Sequence, residues 1–132
     1  MSIYYNKNRK GKNSSQNETI NIIENDGISI IDSYQKFKIN SDDLQAIDIQ
    51  LIKKEALLKN ILEKYSIYDS IVDIGASNGY FIYLANKMPY KSCNIIEHDE
   101  EFVNGINYIN NKYNFNKITT INTKFNNINI DT

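Results

Sequence analysis

The run Ser70-Ile71-Val72-Asp73-Ile74-Gly75-Ala76-Ser77-Asn78-Gly79-Tyr80-Phe81 constrains this chain more than any other stretch. Ile71, Val72 and Ile74 form an apolar run too short for a helix, and β-branched residues favour extended backbone. Gly75 and Gly79 bracket a tight turn in which the main chain can approach a ligand closely. From Tyr80 the spacing turns helical, with Phe81, Leu84, Ala85 and Met88 on one face and Pro89 as the stop. A short strand that feeds a helix through a glycine turn aims unpaired helix N-terminal amides at whatever sits above the strand end. The stretch therefore predicts a ligand site.

Spacing narrows the ligand. A dinucleotide fingerprint requires G-x-G-x-x-G, and a P-loop requires a lysine and a hydroxyl residue directly after its last glycine. Here Ser77 stands where a middle glycine would sit, and Tyr80 follows Gly79, so both phosphate-binding patterns fail. With Asp73 two residues before Gly75, the motif resembles that of the class I S-adenosylmethionine-dependent methyltransferases, acidic-x-Gly-x-Gly-x-Gly after the first strand. Ser77 is the departure from it. The resemblance runs from Asp73 to Phe125, and the run from Val72 to Asn126 is similar, more narrowly, to the small-molecule or sugar O-methyltransferases of the FkbM type. It implies an α/β, Rossmann-like partial parallel sheet flanked by helices. It also implies S-adenosylmethionine as cofactor and transfer of its methyl group to an acceptor the sequence does not identify. On the matching positions, Gly75, Ala76, Ser77, Asn78 and Gly79 would form the loop beneath the cofactor. Asp73 would anchor that loop and help hold the methionine end, directly or through water; Tyr80 would border the pocket, and Phe81 either borders it or, as the preferred reading, joins the core.

Length and composition set outer bounds. With 132 residues the chain suits one domain with a core of its own. A net charge of −1 supplies no basic field for nonspecific nucleic-acid binding. The one cysteine, Cys93, excludes an internal disulfide and fits a reducing, cytoplasmic setting. No apolar run approaches the roughly 18 residues a membrane span requires, and the N-terminus carries no signal-peptide core. His, Asp and Glu do not fall at metal-ligand spacing.

Met1 to Thr19 is polar and without apolar periodicity, which predicts a flexible arm. Lys7, Arg9, Lys10 and Lys12 cluster there beside Tyr4 and Tyr5. The cluster reads first as a solvated terminus, with a tail that touches RNA or substrate as the alternative. Ile20 to Ile31 predicts a hairpin: Ile20 and Ile22 alternate with polar residues, Asp26-Gly27 supplies the turn, and Ile28 and Ile30 alternate again. A helix is the competing reading. Tyr34 and Phe37 follow in a connector that runs to residue 40. Ser41 to Tyr65 predicts a long helix with Ser41 as N-cap, Asp42 and Asp43 in its first turn, and an apolar stripe of Leu44, Ile47, Leu51, Leu58, Leu62 and Tyr65. Residues 41–132 then form the methyltransferase-like domain.

Beyond the central motif, Lys91 to Glu97 predicts a second strand that is parallel to the first, one crossover away. An acidic residue at such a strand tip can accept hydrogen bonds from both ribose hydroxyls, and the family resemblance assigns that part to Glu97. Asp99 is the runner-up, better placed to cap the next helix with Glu100 and Glu101 in its first turn. Phe102, Ile106, Ile109 and Tyr113 give that helix its core stripe, Gly105 falls off the stripe, and Asn114 suits its end. Ile118 to Asn122 predicts a third strand. The family's adenine-contacting acidic residue has no match at Lys124, Phe125 or Asn126.

Complete relatives have a seven-stranded sheet in which the first strand is central. Three strands alone would leave the Asp73 strand at an open apolar edge, which predicts a truncated domain or a partner chain that covers it. The N-terminal hairpin is a candidate cap for that edge. His98 reads as a flanking residue rather than a general base, and Cys93 as a strand residue rather than a reactive thiol. A non-catalytic module of the same fold is the alternative to an enzyme, and an NAD-type oxidoreductase is disfavoured by the glycine spacing.

Overall fold

In the computed structural model, residues 4–7 and 20–123 are described. Alternation of apolar and polar residues sets up the first sheet. Strands β1 (Tyr4–Lys7), β2 (Ile20–Asn25), β3 (Ile28–Asp32), β4 (Phe37–Ile39) and β5 (Leu44–Ala46) form an antiparallel meander in that order. The predicted hairpin is β2–β3, with Asn25 opposite Ile28 and the turn at Asp26-Gly27, both at positive φ. Of the predicted flexible arm, Tyr4–Lys7 is a strand paired with β2, and the rest lies outside the described residues, as do the side chains of the basic cluster.

The predicted helix over 41–65 is corrected. Asn40 Oδ1 accepts from the amides of Asp42 and Asp43, both at 2.8 Å, and the Asn40 amide donates to the Asp43 carbonyl at 3.0 Å. These bonds close the β4–β5 turn, so Ser41 is a turn residue and Leu44 and Ile47 lie outside any helix. The helix α1 (Ile49–Lys64) starts at Asp48, whose carboxylate accepts from the Gln50 and Leu51 amides at 3.0 and 3.2 Å. The apolar spacing misled because Leu44, Ile47 and Leu51 fit a helical stripe while Leu44-Gln45-Ala46 fits a strand equally well. Only Leu51 of α1 is fully buried; Leu58 and Leu62 pack partly against the core.

The second sheet is parallel. Strands β6 (Ser70–Ile74), β7 (Ser92–Glu97) and β8 (Ile118–Asn122) lie in the order β6-β7-β8, joined through helices α2 (Tyr80–Asn86) and α3 (Glu100–Tyr113). This is the predicted Rossmann-like partial sheet, with Asp73 opposite Ile95 and Glu97 opposite Asn122. Helices α2 and α3 pack on the face that carries Cys93, Ile95 and Ile118. On the other face Val72 and Ile74 remain 47% and 51% exposed. Among the described residues β6 pairs with β7 alone, so it is an edge strand.

The antiparallel sheet does not cap that edge. It packs against α2 and α3 instead, on the side away from the parallel sheet. Phe37 meets the Tyr80 ring edge-on at 5.1 Å, and Ile20, Ile22, Ile31 and Phe37 share one core with Tyr83, Ile106 and Ile109. This second layer explains why α2 buries Tyr80, Ile82, Tyr83, Leu84 and Ala85, far more than a one-sided stripe, while Phe81 and Met88 are only partly covered. It also relocates Gly105, which is buried against β2 rather than turned away from the packing.

Two stability measurements check this packing. A Cβ on Gly105 would meet Ile22 Cδ1 at 3.6 Å and Ile20 Cγ2 at 3.9 Å, ordinary contact distances. Gly105→Ala should therefore raise the urea midpoint, with a gain of about 1 kcal/mol from helix propensity. Asp48→Ala should cost about 1 kcal/mol as a lost cap, while Ser41→Ala should change stability by less than about 0.5 kcal/mol. Equal losses for the two would restore the longer helix.

Candidate functional site

The carboxyl ends of β6 and β7 lie side by side, at the end of the sheet where open α/β folds bind ligands. Strand β6 ends at Ile74, and the Gly75 amide donates to the Ile96 carbonyl at 2.8 Å, which holds the loop start against β7. The loop then reverses through three left-handed positions: Gly75 at φ +71°, Ser77 at +55° and Gly79 at +88°. At Gly79 a Cβ would lie 3.1 Å from the Tyr83 ring and 3.3 Å from Ile106, so a side chain there would crowd these neighbours as well as strain a backbone at φ +88°. At Gly75 a Cβ would meet nothing within 4 Å, so its backbone faces open space.

Glu97 closes the arrangement. Its carboxylate accepts from the Ser77 amide at 2.9 Å through Oε1 and from the Asp99 amide at 2.9 Å through Oε2. Only 4% of the residue is exposed. One carboxylate thus joins the glycine loop, the end of β7 and the approach to α3, with charge-assisted bonds on both oxygens. Asp99 is the N-cap of α3, accepting from the Glu101 amide at 3.0 Å. At the other end Asn114 adopts the left-handed conformation with φ +58°.

Asp73 lies one residue inside the strand end. Its side chain borders a cavity of about 200 Å³ with Leu58, Leu62, Ile71, Val72, Phe81 and Ile82. Oδ2 is buried and has no hydrogen-bond partner among the described residues. Burial, reinforced by the nearby Glu97 charge, pushes its pKa up to about 6.

The predicted site residues Asp73, Gly75, Ala76, Ser77, Asn78, Gly79 and Glu97 therefore gather at one sheet end. They differ in what they can present to a ligand. Ala76 and Asn78 are buried, so they offer main chain rather than side chain. Tyr80 is fully buried against Phe37, which removes it from a pocket wall; burial and the Glu55 carboxylate hold its phenol neutral. His98 is 60% exposed with Nδ1 3.7 Å from Glu97 Oε2. Cys93 is fully buried, and burial raises its thiol pKa, away from nucleophilic chemistry. Among the described residues no three His, Cys, Asp or Glu side chains gather as a metal set.

One contact escaped sequence reasoning. The β3–β4 turn reaches the glycine loop: Tyr34 Oη lies 2.5 Å from Ser77 Oγ, and Asn78 Nδ2 donates to Ser33 Oγ at 2.6 Å and to the Gln35 carbonyl at 2.7 Å. These pairs are more than forty residues apart in sequence, and nothing local signals them.

No protein-family model matches the chain, and no curated protein sequence does. Among solved structures, the chain is similar to a SAM-dependent methyltransferase from Aquifex aeolicus, with 21% identity and a TM-score of 0.47. The match covers 58% of this chain and 43% of that one, so the chain spans less than half the length of that structure. It lends no support to the narrower FkbM-type likeness. Among the described residues no helix is long and apolar enough to cross a membrane.

The raised Asp73 pKa has a consequence for stability. Its usual value is 3.8, so the native state holds the proton more tightly than the unfolded chain. Ionisation therefore costs stability as pH rises from about 4 to about 6. Asp73→Asn should gain on the order of 2 kcal/mol over the parent at pH 7. The gain should vanish by about pH 3.5, read from urea unfolding at a series of pH values.

Proposed function

We propose that the sheet end above β6 and β7 binds S-adenosylmethionine and that the chain is the cofactor-binding part of a methyltransferase. The observation that carries this reading is the bond from the Ser77 amide to Glu97 Oε1, 2.9 Å, which brings the glycine loop and an acidic strand tip to one point. A sulfonium nucleoside offers a ribose diol and a charged amino-acid end, and the residues present suit both. Each Glu97 oxygen accepts one backbone bond and keeps acceptor capacity for a hydroxyl. The open space over Gly75 is what a close main-chain approach requires, and any side chain there would enter it. Asp73 keeps one oxygen without a partner beside the loop start.

When bound, the cofactor supplies an electrophilic methyl group on sulfonium sulfur. The work left to this chain is positional. Glu97 would accept from the ribose hydroxyls. Gly75 to Gly79 would offer main-chain groups, and Asp73 would hold the methionine end directly or through water. No residue is assigned to the acceptor. His98, exposed beside Glu97, is not given a base's role.

A second reading has its own support. Both oxygens of Glu97 are already bonded to backbone amides and the residue is buried, as a purely structural staple in a non-catalytic module would be. A melting-temperature titration separates a nucleoside site at Glu97 from a purely structural staple and from a dinucleotide site. S-adenosylhomocysteine at about 100 times its Kd should stabilise the chain by roughly 2.7 kcal/mol, and NAD should not. Glu97→Gln should lose most of that shift. A full shift in Glu97→Gln removes the ribose role, and a shift with NAD alone overturns the proposal.

A further inference from the structure

We infer that the Ser33-Tyr34-Gln35 turn of the antiparallel sheet is a positioning element of the nucleoside site, setting the backbone of the glycine loop through Ser77 and Asn78. This rests on the ligand reading above for its ligand and on geometry alone for its loop. Asn78 carries the argument. Only 5% of it is exposed, and its amide group is split between two environments. Nδ2 donates to Ser33 Oγ at 2.6 Å and to the Gln35 carbonyl at 2.7 Å, so both donor hydrogens go to the turn. Oδ1 is buried without a partner among the described residues, and Asn78 borders a small apolar cavity with Ile20, Ile22, Ile106 and Ile109. Packing alone would favour leucine at such a position, because an unpaired buried carbonyl is costly. What the amide adds is the grip on the turn.

Ser77 adds the second grip. It holds a left-handed backbone with a Cβ, a conformation that must be stabilised by its surroundings. Its amide is taken by Glu97 and its hydroxyl lies 2.5 Å from Tyr34 Oη, so opposite sides of one residue are tied to the strand tip and to the turn. Gly79, one residue beyond Asn78, closes the loop with its amide on the Ala76 carbonyl at 3.0 Å. Ser33 is itself braced, with Oγ and the Gln35 main chain 3.2 Å apart in both directions. The turn is therefore a preformed surface against which the loop is set. The antiparallel sheet thereby reaches the ligand-facing loop as well as the core.

The experiment compares the parent chain with Asn78→Leu and Tyr34→Phe. Asn78→Leu removes both donors as well as the unpaired oxygen, so a merely structural part would change global stability and leave loop exchange and affinity unchanged. Tyr34→Phe removes only a hydroxyl from a half-exposed ring and keeps the test decisive if Asn78→Leu fails to fold. Two readouts are taken below the melting temperature of each variant: native-state exchange of the Ser77 and Gly79 amides by NMR, and S-adenosylhomocysteine affinity by calorimetry. Faster exchange at those amides, with affinity about tenfold weaker in Asn78→Leu and about threefold weaker in Tyr34→Phe, supports the inference. Unchanged exchange, or unchanged affinity in both variants of a chain that binds, overturns it. No binding to the parent chain, with faster loop exchange in the variants, overturns the ligand reading and supports the loop-setting part.

Discussion

The Glu97 carboxylate is the point on which the local architecture depends. A loop that turns through three left-handed residues leaves amides that helix hydrogen bonding cannot use. One of them, on Ser77, is satisfied by Glu97, and the other oxygen of the same group fixes Asp99 as it enters α3. Parallel pairing of β6 with β7 puts the two ends side by side. The carboxylate then converts adjacency into a fixed geometry. Because it is buried, the charge is weakly screened, and each bond to it is worth more than a neutral one.

The helices behind the parallel sheet are covered by the antiparallel sheet. Helix α2 has only seven residues, too few to be stable by propensity, and Tyr80, Ile82 and Tyr83 are inserted into packing on both of its sides. Phe37 of β4 meets the Tyr80 ring edge-on and the Tyr83 ring at a tilt, and Tyr113 of α3 reaches back to Ser29 and Gly27 across the same interface. Lys112 pairs with buried Glu24 at 2.9 Å beside it. The opposite face of the parallel sheet has no such layer among the described residues, and Val72, Ile74 and Ile121 stay open there. Parallel sheets ordinarily have both faces covered, so the packing is asymmetric.

What the amino-acid sequence could reveal followed from how local the signals were. Strand β8 was legible to the residue and β6 from its β-branched run, although β6, expected to be buried, leaves Val72 and Ile74 about half exposed. Asp99 and Asn114 were legible as the ends of α3, since caps act within one turn. Gly75 and Glu97 were brought together by crossover length alone. Strands β4 and β5 were hidden: three residues of alternation carry too little information, and Asn40's bonds to Asp42 and Asp43 imitate a helix start. The width of the α2 core face was hidden as well, because a second sheet cannot be read from one helix's periodicity.

Three local costs lie close together at the end of β6, while others among the described residues, such as the unpaired buried oxygens of Asn110 and Thr120, lie elsewhere. Ser77 holds a left-handed backbone that glycine would adopt freely, Asn78 buries a carbonyl oxygen without a partner, and Asp73 buries a carboxyl oxygen likewise. Each is unfavourable alone; an asparagine at Asp73 would ease the cost there, whereas a leucine at Asn78 would also remove its two bonds to the β3–β4 turn. Structures keep such departures where geometry serves something other than stability. Tyr83 also buries its hydroxyl unpaired, but its ring fills the core beside Gly79 and the cost is offset by packing. The three at the strand end have no comparable return from the core. They lie near Gly75 in the chain, at which an added Cβ would meet nothing within 4 Å.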